Sequence, residues 1–124
     1  MIGEDLFWLA VNAYHEARGE SDEGIKAVCC VVLNRCNRRR KSIKEVVLEP
    51  YQFSWANGGA RPAITDYQSL VRCIDLAQEA YHDFGAGKNL NRADHYFADY
   101  IQPPSWAQSL TRVCKIGKHI FYRS

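Results

Sequence analysis

The apolar residues of this chain fall into helical rows through its first two thirds and into short alternating runs only near its end. Over residues 5–18, Leu6, Leu9, Ala10, Ala13 and Ala17 recur at three/four spacing on one stripe. Trp8, Asn12 and Glu16 make a second row beside it. Gly19 is expected to stop this first helix as a left-handed C-terminal residue. Ser21 is a good N-cap for a second helix, with Asp22 and Glu23 suited to its first turn. That helix runs to about Arg38. Ile25, Val28, Cys29, Val32, Leu33 and Cys36 form its apolar face, which Ala27 and Val31 widen, so it is expected to be the most buried. Ser42-Ile43-Lys44-Glu45 is a capping-box pattern that opens a short helix through Leu48, stopped before Pro50. Thr65 or Asp66 caps a third long helix, whose stripe reads Tyr67, Leu70, Ile74, Ala77, Tyr81 and Phe84 and which Gly85 and Gly87 end.

Between these helices, Asn57-Gly58-Gly59 and Pro62 mark a loop. It follows Tyr51-Gln52-Phe53-Ser54-Trp55, whose rings suit either packing on the core or a wall for flat apolar surfaces such as sugar faces. After the third long helix, Ala93 to Ala98 reads as a strand, Pro104-Ser105-Trp106 as the start of one helical turn, and Arg112 to Ile116 with His119 to Tyr122 as a hairpin around Gly117-Lys118. The fold class expected is α+β, predominantly helical, with a small late β-hairpin.

At 124 residues, 47% hydrophobic and 24% charged, the chain suits one ordinary globular domain spanning residues 1–124. The formal net charge of +2 is too weak to demand a nucleic-acid partner. Arg35, Arg38, Arg39, Arg40, Lys41 and Lys44 nevertheless cluster at one helix end, as a solvated surface or as an attraction for an anionic polymer. The first apolar run follows Glu4 and Asp5, not a basic segment, and is too short to span a bilayer. A chain made in the cytoplasm without a signal peptide, with no transmembrane segment, is therefore expected. The five cysteines show no metal-ligand spacing and fit a reduced core. The four histidines are scattered singly, and no nucleotide or phosphate motif is present, so neither a metal nor a cofactor is expected.

Carboxylate chemistry remains. Tyr14-His15-Glu16-Ala17-Arg18-Gly19-Glu20 packs two carboxylates, an imidazole and a guanidinium into seven residues at a helix end. Glu16 lies in the last turn, on the flank of the apolar stripe, where burial raises a carboxyl pKa toward that of a general acid. Glu20, past the glycine, is expected to be exposed and structural. Arg18 is expected to hold Glu20 or a loop carbonyl. A surface or ion-paired role for Glu16 stays open on this chemistry alone.

The same motif, followed by Gly24-Ile25-Lys26-Ala27-Val28 to Val32-Leu33-Asn34-Arg35, resembles the cell-wall hydrolases of the spore cortex-lytic (SleB/CwlJ-like) type. Gln52-Phe53-Ser54-Trp55, Ala93-Asp94-His95-Tyr96-Phe97, Pro104-Ser105-Trp106-Ala107 and Ile116-Gly117-Lys118-His119-Ile120-Phe121-Tyr122 resemble later segments of that family in the same order. His15 departs from the pattern where the family often has glycine, as does Tyr51. The resemblance implies a lysozyme-like, lytic-transglycosylase-like domain that cleaves peptidoglycan glycan strands between N-acetylmuramic acid and N-acetylglucosamine, with Glu16 as catalytic acid. Gln52, Phe53, Ser54, Trp55, Tyr96 and Trp106 would line the cleft. A lytic transglycosylase needs one carboxylate. A two-carboxylate hydrolase needs a partner, for which Glu20, Asp66, Asp94 and Asp99 stand as unranked candidates. A lone catalytic domain of this kind resembles a phage or prophage endolysin, monomeric, acting on the wall after release. The rival reading is a non-catalytic wall- or nucleic-acid-binding module using the Arg35–Lys44 cluster, although that cluster lacks the interleaved aromatics of nucleic-acid binders.

Overall fold

Among the described residues, four α-helices and a three-stranded sheet make the fold. The computed structural model describes residues 3–49, 55, 62–88 and 91–124. In chain order these are α1 (Glu4–Ala17), α2 (Asp22–Arg39), α3 (Ile43–Val47), α4 (Tyr67–Gly85), β1 (His95–Ala98), a 3₁₀ turn (Ser105–Gln108), β2 (Thr111–Ile116) and β3 (His119–Arg123). Gln52, Phe53 and Ser54 lie outside the described residues.

The helices start where the side chains predict. Ser21 accepts from the Gly24 N–H at 3.2 Å. Ser42 and Glu45 exchange both bonds of a capping box, at 3.1 and 3.0 Å. Of the two caps offered for α4, Asp66 is the one used, accepting from the Ser69 N–H at 3.0 Å. The core forms where α1 and α4 pack on α2. On α2, Ile25, Ala27, Val28, Cys29, Val31 and Val32 have no exposure at all. Each buried valine or isoleucine contributes about 1.5–3 kcal/mol.

Three expectations need correction. Gly19 does not take a positive φ. Helix α1 ends through right-handed Arg18, with the Glu20 N–H donating to the Ala17 carbonyl at 2.9 Å. The left-handed cap falls instead on Arg40 (φ 54°) at the end of α2, where the Lys41 N–H reaches the Cys36 carbonyl at 3.2 Å. The stripe on α4 is also rotated. Cys73, Leu76, Ala77 and Ala80 are buried, whereas Tyr67 and Tyr81 are 70% and 54% exposed. Because α4 packs against both α1 and α2, its buried face is broad and centred on small residues, which leaves the two tyrosines at its edges. Finally, Glu20 is not exposed, for reasons given below.

The sheet is antiparallel with order β1-β3-β2, so β3 is central. Tyr96 pairs with Phe121 and Ala98 with His119. Strand alternation puts Tyr96, His119 and Phe121 on one face. Phe121 is fully buried in the helical core. His95, Phe97 and Tyr122 point to the other face, where Trp106 packs against all three at ring separations of 4.9, 5.7 and 5.4 Å. The hairpin turns at Gly117-Lys118, as its sequence predicts, with Gly117 at φ +55°.

Candidate active site

The last turn of α1 and the hairpin turn of the sheet face each other across an open cavity of about 370 Å³. His15, Glu16, Glu20, Tyr100, Lys118 and His119 are among the residues that line it. A larger cavity of about 830 Å³ lies between the start of α1 and the ends of α2 and α4. Its walls are mostly apolar, and its two carboxyls, Glu4 and Asp5, are exposed, so size does not mark the chemically equipped site.

Glu16 is half-buried. The Tyr96 hydroxyl donates to its Oε1 at 2.8 Å. Burial raises the Glu16 carboxyl above its ordinary value near 4.5, against the opposing pull of the Tyr96 hydrogen bond and the Arg35 guanidinium. Burial, and then the charge of Glu16, push the Tyr96 phenol well above its own ordinary value, so it stays a donor. The pair thus holds an acid that keeps its proton to higher pH than a solvated glutamate, in a fixed rotamer, at the edge of a solvent-open cavity.

Glu20 enters the same cavity from past the helix end, and its side chain is only 13% exposed. Its Oε1 accepts from the Lys118 N–H at 2.8 Å and lies 3.2 Å from His119 Nδ1, without the alignment of a hydrogen bond. The carboxylate lies so close to the hairpin turn that a Cβ at Gly117 would come within 2.5 Å of it. Glycine is therefore required there twice over, by its φ and by this approach. Glu20 clamps the α1–α2 junction onto the sheet. The junction carbonyls are held not by Arg18 but by Arg72 of α4, whose guanidinium donates to the Glu20 carbonyl at 3.1 Å and to the Arg18 carbonyl at 3.4 Å. Arg18 turns back, donating to the Tyr14 carbonyl at 3.3 Å and lying 4.6 Å over the Tyr14 ring.

The other carboxyls considered as partners are engaged elsewhere. Asp66 caps α4. Asp99 pairs with Lys115 at 3.0 Å. Asp94 is 3% exposed and is bound by Arg38, by the Ser124 N–H at 2.9 Å and by the Ser124 hydroxyl at 2.5 Å.

The structure brings Tyr96 to Glu16 but separates the other described residues expected at the cleft. Trp55 is buried, 7% exposed, with its indole N–H donating to Asn12 at 2.8 Å. It reaches the cavity only through His15, which stacks on it at 4.6 Å and 29°. Trp106 serves the opposite face of the sheet from Tyr96. The cavity instead recruits Tyr100, Lys118 and His119, which the sequence reading left aside. Burial holds His119 below its ordinary value, against Glu20 and Asp99, and its ring meets Tyr96 edge-on at 5.1 Å. Lys118 and His119 carried two sequence signals, their place in the Gly117 turn and in the family-like segment Ile116–Tyr122. Tyr100 carried none.

The basic cluster is largely spent within the fold. Arg35 is 5% exposed and its Nε donates to the Asp94 carbonyl at 2.7 Å. Arg38 pairs with Asp94, Arg39 and Lys41 with Glu49, and Lys44 with Glu4. Among the described residues no group of three or more His, Cys, Asp or Glu could hold a metal ion, and no helix is long and apolar enough to cross a membrane.

An acid half-buried at a helix end, facing a small antiparallel sheet across an open cleft, defines a lysozyme-like α+β domain. Comparison with known proteins then places it. A family model described as Cell Wall Hydrolase matches residues 19–122, and the chain belongs to that family. It is 33% identical over 120 residues to the spore cortex-lytic enzyme of Bacillus subtilis (strain 168), which covers 94% of this chain and 37% of that protein. It thus spans little more than a third of that relative's length. The catalytic domain of the germination-specific lytic transglycosylase SleB from Bacillus anthracis has the same fold, with a TM-score of 0.76 at 24% identity, covering 98% of this chain and 97% of that one. The catalytic domain of the Bacillus cereus SleB protein gives 0.69 at 26% identity, covering 96% and 89%.

Proposed function

We propose that residues 1–124 form a single catalytic domain that degrades peptidoglycan, cleaving glycan strands between N-acetylmuramic acid and N-acetylglucosamine as a lytic transglycosylase. The observation that carries this reading is the raised, Tyr96-bonded carboxyl of Glu16 on an open cavity. The family match begins at Gly19, so the support for Glu16 is its geometry together with the resemblance of the Tyr14–Glu20 motif. Protonated Glu16 donates to the leaving glycosidic oxygen. The resulting carboxylate takes the proton of the muramic 6-hydroxyl as that oxygen closes onto C1, leaving a 1,6-anhydro end. One carboxyl performs both transfers. Two features support a one-carboxyl route over hydrolysis by a pair: Glu20 is bound to the hairpin turn, and Asp66, Asp94 and Asp99 are each committed elsewhere.

Glu16→Gln keeps the shape and removes the proton. It is expected to lower clearing of purified peptidoglycan by roughly 10²–10⁴-fold with little change in thermal unfolding. Mass spectrometry of the muropeptides released by the wild type is expected to show anhydro ends, lighter by one water than hydrolysed ends. Full activity in Glu16→Gln would remove the assignment, and hydrated ends alone would turn the reaction into hydrolysis.

The same proposal has the protein act as a phage or prophage endolysin, on the wall, after release from the cell that makes it. Expressed in a bacterial cytoplasm, it is expected to lyse cells only when a separate protein permeabilises the membrane. Lysis without permeabilisation would overturn that setting while leaving the chemistry intact.

A further inference from the structure

Three rings line the Glu16 cavity, those of His15, Tyr100 and His119; His119 is buried, and the other two sit on different elements. Tyr100 follows β1 and is 77% exposed. Other tyrosines are exposed too, but Tyr67 and Tyr81 lie on α4, away from this cavity. The turn that displays Tyr100 is pinned on three sides. The Ile101 N–H donates to the Ala98 carbonyl at 3.2 Å, the Asp99 N–H donates to the Lys118 carbonyl at 2.7 Å, and Lys115 holds the Asp99 carboxylate at 3.0 Å. A ring presented on a fixed turn loses little freedom when a ligand covers it.

His15 stands on α1, one residue before the acid. Its ring is backed by Trp55, which is itself anchored to Asn12, and it meets Tyr14 edge-on at 5.2 Å and 83°. Among the described residues no hydrogen bond occupies either of its nitrogens. Burial, and then the Arg18 charge, hold it below its ordinary value, so near neutral pH it offers one donor and one acceptor without charge.

We infer that Tyr100 and His15 are the two lips of a sugar-binding subsite at the Glu16 cavity. The subsite takes an N-acetylated hexose of the glycan chain. The apolar face of the pyranose lies on the Tyr100 ring, and its polar edge meets the neutral His15 imidazole. The inference rests on the reading of this cavity as a glycan-cleaving site and adds the residues that grip the substrate there.

The test uses soluble, peptide-free strands of alternating N-acetylmuramic acid and N-acetylglucosamine. Steady-state cleavage is measured for the wild type, Tyr100→Ala, Tyr100→Phe and His15→Ala, with Tyr81→Ala as the control for loss of an exposed ring. Tyr100→Ala and His15→Ala are each expected to raise KM roughly tenfold, the ratio that about 1.4 kcal/mol carries, with kcat changed by less than about twofold. Tyr100→Phe keeps the stacking face and is expected to reverse most of the KM rise of Tyr100→Ala, and Tyr81→Ala, away from the cavity, to match the wild type. In a Glu16→Gln background, calorimetric titration with the same strands is expected to show the same loss of affinity without turnover. An unchanged KM in both alanine variants, a loss confined to kcat, or a Phe variant as weak as the Ala variant would each overturn the subsite. A wild type that cleaves no strand would overturn the proposed function instead, and the titration arm would still decide whether Tyr100 and His15 bind sugar.

Discussion

Glu16 and Asp94 are both withdrawn from water beside β1, yet they come out as opposite kinds of carboxyl. Burial pulls each of them upward, and in each it is the largest single influence. Around Glu16 the answer to burial is one hydroxyl, from Tyr96, and a more distant attraction from Arg35, so the net value stays raised. Around Asp94 the answer is His95 Nδ1 at 2.9 Å, the Ser124 hydroxyl, the Ser124 N–H and the Arg38 guanidinium, and the net value falls below the ordinary 3.8. The difference lies in how many donors the fold spends on each group. A carboxyl given enough donors becomes a structural anion that ties α2 to the end of β3. A carboxyl with one donor among the described residues, on an open cavity, holds its proton to higher pH.

The sharpest way to break this comparison is to neutralise each group in place. Glu16→Gln is expected to remove activity and leave the fold. Asp94→Asn is expected to lower stability by about 2–3 kcal/mol through its lost charged hydrogen bonds, read by chemical denaturation, while the protein that remains folded stays active. The pH dependence carries opposite signs. The Glu16 contribution is fully present below its ordinary value near 4.5 and is lost as pH rises through its raised folded value. The Asp94 contribution is present above 3.8 and is lost as pH falls through its lowered folded value. Glu16→Gln is therefore expected to gain on the wild type as pH rises above 4.5, and Asp94→Asn to close its gap as pH falls below 3.8. Two stability curves with parallel pH dependence would contradict the contrast.

The reach of the sequence follows the same division. Local rules carried the helices: the caps at Ser21, Ser42 and Asp66 and the turn at Gly117-Lys118 are written within a few residues of where they act. Periodicity also put Glu16 on a helix flank, where it is half-buried. What escaped is set by long-range pairing. The β1–β3 register decides that Tyr96 meets Glu16 while Trp106 goes to the far face, and no pattern along the chain encodes that choice. Glu20 is partly covered by a turn 97 residues away, at Gly117. The cluster from Arg35 to Lys44 reads as free charge because its acidic partners, Glu4, Glu49 and Asp94, come from three other stretches of the chain. Trp55 belongs to both groups. Its segment suggested a ring at the cleft, but the Asn12 carboxamide draws it inward and leaves His15 as the exposed layer of the stack.

The finest adjustment in the comparison is the single donor that Glu16 has among the described residues. Tyr96→Phe deletes one hydroxyl and keeps the ring against Phe121 and His119. The hydrogen bond favours the carboxylate, so its loss is expected to push the Glu16 carboxyl further up and move the alkaline limb of the pH–rate profile to higher pH. The variant also loses the bond that fixes the carboxyl rotamer, worth about 1 kcal/mol, or roughly fivefold in kcat at the optimum. A kinetic pH titration separates the two effects, since one moves the limb and the other lowers the plateau. An unmoved limb with a lowered plateau would mean that Tyr96 only orients the acid. A limb moved to lower pH would mean that the phenol supports the protonated form, and the contrast between a poorly and a richly hydrogen-bonded carboxyl would lose its basis.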